Sequence, residues 1–124
     1  MSARQGDQKL IVAVVAEVPL LREAVAAALG DGADVQGFPA HRGDTVGLLE
    51  WLRPDAVIVD SDAEAQVVSP FASNSQSPLL HISLKRRIFR LLRNGGWEDS
   101  NGSGTAEELR NIVLGSIYGR REAT

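Results

Sequence analysis

The chain has 124 residues, no cysteine and a formal net charge of −3. That length suits one domain with a core that needs no cross-links, and the missing cysteine excludes disulfides, thiolate metal sites and cysteine nucleophiles. The mild acidity argues against a nucleic-acid surface over the whole molecule, and no apolar run reaches the roughly 18 residues of a membrane span, so the expectation is a soluble, cytoplasmic protein.

Residues 1–8 are polar and read as a disordered tail ahead of a domain over 9–121. Residues 9–16, KLIVAVVA, are continuously apolar and β-branched, as in a strand buried on both faces of a parallel sheet. Pro19 suits a first helical turn; Leu21, Val25, Ala28 and Leu29 follow at helical spacing, and Gly30 can end the helix. Residues 33–38 make a short second strand. Asp44 can cap a second helix carrying Val46, Leu49, Trp51 and Leu52, with Trp51 expected in the core and Pro54 as the stop. Residues 55–60, DAVIVD, form a third strand ending in an acid. This β-α-β-α-β order predicts a parallel sheet with right-handed crossovers.

The next stretch is less regular. Residues 62–68 have room for a turn or two of helix, and 70–78, with two prolines among Ser, Asn and Gln, read as loop. Strands follow at 79–83 and 88–92. They are too close for the dozen or more residues of a parallel crossover, so they make either an antiparallel hairpin or one long bent strand. Residues 94–104 are rich in Gly, Ser and Asn and read as a loop carrying Trp97. Thr105 and Glu108 form a capping box for a last helix whose buried stripe is Leu109, Ile112, Val113, Ser116 and Ile117.

Several fragments share one likeness. AVVAEVPLLREAV at 13–25, WLRPDAVIVDSD at 51–62, FRLLRN at 89–94 and TAEELRNIV at 105–113 resemble, in the right order and over roughly two-thirds of the chain, the receiver domains of response regulators (CheY-like, of NarL-type flavour). The most specific are PLLREAV directly after a strand and LRPDAVIVD. The resemblance implies a flavodoxin-like α/β fold: an open, mostly parallel five-stranded sheet of order 2-1-3-4-5, with helices on both faces. Here the fourth helix is expected to be missing and the third shortened.

The resemblance also implies a site. Asp60 stands at the phospho-acceptor position. Glu17, Asp60 and, through its backbone carbonyl, Asp62 would be ligands of a weakly bound or lost Mg2+. Ser83 would contact the phosphoryl group and Arg93 would replace the family lysine. Independently of the family, open sheets of this type place sites outside the carboxyl ends of their strands, and Glu17, Asp60 and Ser83 each end a predicted strand. The departures are substantial. Ala16 fills one position of the acid pair, arginine is not a compact ammonium, and the switch aromatic falls on Arg90 with Phe89 beside it.

The plainer readings are that Asp60 is a solvated strand-end acid, Glu17 a first-turn acid favoured by the helix dipole, and Ser83 an ordinary strand-end serine. His41 and His81 do not read as a metal pair, and His81 reads as a satisfied histidine within a strand. Trp97 reads as a lid or a partner anchor. The run Lys85, Arg86 and Arg87 reads as an exposed turn or a small anion patch.

The functional expectation is a non-enzymatic pseudo-receiver: a phosphorylation-independent interaction or dimerisation module in signal transduction and transcription regulation. It would pair with itself or with a regulatory protein through the strand 4–5 and last-helix face, using Phe89, Trp97, Ile117 and Tyr118. DNA would be contacted only through an attached domain, and no membrane is involved. The alternatives are a competent receiver phosphorylated at Asp60 by a histidine kinase, and a flavodoxin-like domain binding a nucleotide or another anion. The second lacks a GxGxxG or P-loop.

Overall fold

A computed structural model describes residues 10–40, 43–83, 88–93, 96–100 and 105–123. The chain runs β1 (Leu10–Ala16), α1 (Leu20–Leu29), β2 (Ala33–Pro39), α2 (Thr45–Leu52), β3 (Ala56–Val59), α3 (Asp62–Ser75), β4 (Leu79–Ser83), β5 (Ile88–Arg93), β6 (Gly96–Ser100) and α4 (Ala106–Ala123). The strands form one sheet of order β2-β1-β3-β4-β5-β6. β2, β1, β3 and β4 are parallel neighbours. β4, β5 and β6 form an antiparallel meander. The architecture is a mixed six-stranded α/β sheet, broadly compatible with a flavodoxin-like fold.

Each face of the sheet carries its own core. On one face, Val12, Val14, Ile58, Leu80, Ile82 and Phe89 pack under α1 and α4. On the other, Ala13, Val15, Val57, Val59 and Leu79 pack under α2 and α3. Strands buried on both faces need apolar residues at every position, which is why β1 and β3 read as unbroken apolar runs. Asp55 pins the start of β3 to β1: its Oδ2 accepts the Ile11 N–H at 2.8 Å while its own N–H donates to the Ile11 carbonyl at 2.7 Å.

The structure corrects three expectations. The sheet has a sixth strand, because residues 96–100 pair with β5 instead of forming loop. The segment between β5 and β6 holds Asn94 and Gly95, the dipeptide most typical of two-residue hairpins. The third helix is not shortened: α3 spans 14 residues and continues through Pro70. Ser61 caps it by accepting the Glu64 N–H at 3.2 Å, and Ala65, Val68 and Ala72 are buried along one stripe. That packing outweighs the hydrogen bond a mid-helix proline removes. Trp51 is 82% exposed on α2 and no part of the core.

Of the two readings left open for strands four and five, the antiparallel hairpin is the one found, with Ser83 opposite Ile88 and Leu79 opposite Leu92. The segment between them, residues 84–87, is too short for a further helix. Residues 1–8, His41 and the basic run at 85–87 lie outside the described residues.

Candidate functional site

Parallel pairing brings Asp60 beside the loop that leaves β1, because Val15 is in register with Val59 and both strands end at the same level. Asp60 Oδ1 accepts the Glu17 N–H at 2.9 Å. Its Oδ2 accepts the Glu17 and Val18 N–H groups at 3.1 Å each. Consecutive amides converging on one anion make a small nest, and charge-assisted bonds of this kind are stronger than neutral ones. Here the nest is filled from within the chain. The aspartate therefore clasps the β1–α1 turn to the end of β3.

The other expected residues are distributed unevenly. Ser83 ends β4 at the same edge of the sheet, half-buried. Asp62 is the first residue of α3, and its side chain is 88% exposed. Arg93 is not brought to the site. β5 runs antiparallel to β4, so Arg93 lies past the Leu79–Leu92 pair, toward the opposite end of the sheet from Ser83.

The Mg2+ set expected at this edge does not fit the residues present. Ala16 supplies no side-chain oxygen, and Asp60 turns both of its oxygens to backbone N–H groups. Among the described residues no group of three or more His, Asp or Glu is placed to hold a metal ion.

A polar network absent from the sequence expectations occupies the α3 side of the meander. His81 is 5% exposed in β4. Its Nε2 lies 3.5 Å from Asp62 Oδ1, and its ring meets Trp97 edge-on, centroids 6.5 Å apart. Arg90, paired with His81 across β4 and β5, sets its guanidinium 5.0 Å from the centre of the Trp97 ring. Its Nε donates to Asp99 Oδ1 at 3.0 Å. Burial pushes the His81 pKa below its ordinary 6.5, Arg90 pushes it the same way, and Asp62 and Asp60 oppose the shift. A histidine so placed is neutral at pH 7.

The sequence signal for this network is period-two alternation: Arg90 and Leu92 share a face of β5, and Trp97 and Asp99 share that face on β6. The Gly, Ser and Asn content of 94–104 masks that alternation in the sequence. Two residues expected at an interface are instead in the core: Phe89 is 7% exposed and Ile117 0%. Phe89 of β5 and Ile117 of α4 belong to the same core cluster, on the side of the sheet away from Trp97. The Tyr118 side chain lies outside the described residues.

No protein-family description, no curated protein and no solved structure matches the chain. Fold and site therefore define the class on their own: an α/β domain with a mixed sheet whose strand-end aspartate is bound to its own backbone. No helix among the described residues is long and apolar enough to cross a membrane.

Proposed function

We propose that the chain is a receiver-like regulatory domain that works by presenting a surface and not by accepting a phosphoryl group. The observation that carries this reading is the engagement of both Asp60 oxygens by the Glu17 and Val18 amides. To attack a phosphoryl donor the carboxylate would have to leave that nest. Charge developing in transfer would also need a metal ion and a nearby cation. Ala16 and the placement of Arg93 supply neither in the family's way.

The surface left for a partner is the α3-side face of β5 and β6. Arg90, Trp97 and Asp99 form its rim. A second copy of the chain or a regulatory protein would bind there, as part of signal transduction leading to transcription control. Phe89 and Ile117 are excluded by burial.

The test is intact mass measured promptly after incubation with acetyl phosphate and Mg2+. No phosphoryl adduct is expected. An adduct that disappears in Asp60→Asn would replace this reading with that of a competent receiver served by a histidine kinase.

A further inference from the structure

A groove of about 610 Å3 opens between α1 and the carboxyl ends of β1 and β2. Its walls include Val14, Ala16 and Pro39, with Arg22 and Glu17 as the charged residues. The volume lies within the range of small-molecule sites.

Arg22 is laid into this groove by a glycine. Gly37 faces α1 from β2, and a Cβ built there would come within 2.4 Å of Arg22 Cδ. A glycine inside a strand costs stability, and it marks a place where something must approach closely. What approaches here is the stem of Arg22, whose guanidinium forms no ion pair or hydrogen bond with any described residue.

We propose that this groove binds a small monocarboxylate with an apolar body. The planar guanidinium fork matches a carboxylate with two parallel N–H···O bonds, and the hydrocarbon part of the ligand seats against Ala16 and Pro39, register partners on the α1 side of the sheet. Compact polyanions suit the groove less well. The amides that open the β1–α1 turn are already turned to Asp60, and the Glu17 carboxylate shares the lining. This assignment does not rest on the receiver reading. If both hold, the domain takes its input from a diffusible acid.

The probe is 4-phenylbutyrate, added to the full chain and followed by amide chemical shifts, with 4-phenylbutanamide and inorganic phosphate in parallel. A ligand of this size binds with a dissociation constant on the order of millimolar. Shifts are expected at Gly37, Phe38 and Arg22. The amide should bind at least about tenfold more weakly, and so should the Arg22→Met chain. Gly37→Ala, which pushes the arginine off the strand, should weaken binding while thermal denaturation shows an intact fold. Several outcomes would overturn the proposal: equal binding of acid and amide, indifference to Arg22→Met, tighter binding of phosphate, or no shifts in the groove.

Discussion

Asp60 and Glu17, at the ends of neighbouring parallel strands, are joined through the backbone: the Glu17 N–H donates to both carboxylate oxygens of Asp60, at 2.9 and 3.1 Å. The side chain that resembles a phospho-acceptor therefore holds the first crossover against the third strand. If that is its role, it should register in stability. Asp60→Ala leaves two amides without their anion and is expected to cost about 1–3 kcal/mol. Asp60→Asn, which keeps one acceptor, should cost less. Urea unfolding of the three proteins measures the difference, and coincident curves would mean the clasp contributes nothing.

The depressed pKa of His81 gives stability a pH dependence with a definite sign. In the unfolded chain the histidine takes a proton near pH 6.5, whereas in the folded domain burial delays protonation to lower pH. Between those values the unfolded state binds more protons. Its contribution to stability is therefore complete above about pH 6.5 and is lost as pH falls through the folded value. Urea midpoints should fall between about pH 7.5 and about pH 5, and His81→Gln should flatten this part of the profile. A profile unchanged in the variant would assign the acid sensitivity to other groups.

The two tryptophans should report separately. Trp51 is 82% exposed, so Trp51→Ala is expected to change stability by no more than about 0.5 kcal/mol. Trp97, half-buried between His81 and Arg90, should cost about 1–3 kcal/mol on truncation to alanine. In the Trp51→Phe chain, the remaining emission should resist acrylamide and weaken as His81 protonates. Ready quenching at neutral pH would contradict the packing of β6.

Pro70 interrupts the hydrogen-bond ladder of α3 at an exposed position. Restoring the missing N–H with Pro70→Ala should stabilise the domain by about 1–3 kcal/mol. The melting temperature should rise by several degrees. A lower melting temperature would show that the proline's restriction of the unfolded chain outweighs the lost bond.

The first half of the fold was legible along the chain because its determinants are local. Apolar runs without alternation mark strands buried on both faces, and Pro19, Gly30 and Pro54 punctuate the elements between them. The closeness of β4 and β5 ruled out a parallel crossover on length alone. The N-cap half of the expected capping box is present in the structure, with Thr105 Oγ1 accepting the Glu108 N–H at 3.2 Å.

What composition obscured, packing decided. Residues 70–78 look like loop by content, yet Ala72 finds a buried place against the sheet and the helix continues to Ser75. Residues 96–100 carry two acids and a glycine, yet β5 offers them an unpaired edge and they become its neighbour. The same pairing carries Arg93 away from Asp60 and sets Arg90 beside His81. Residue types and strand ends alone put Glu17, Asp60 and Ser83 at one edge of the sheet. Only the three-dimensional arrangement determined that Asp60 faces backbone amides, because hydrogen-bond partners 43 residues apart are chosen by strand register, a property of the assembled sheet and not of either segment.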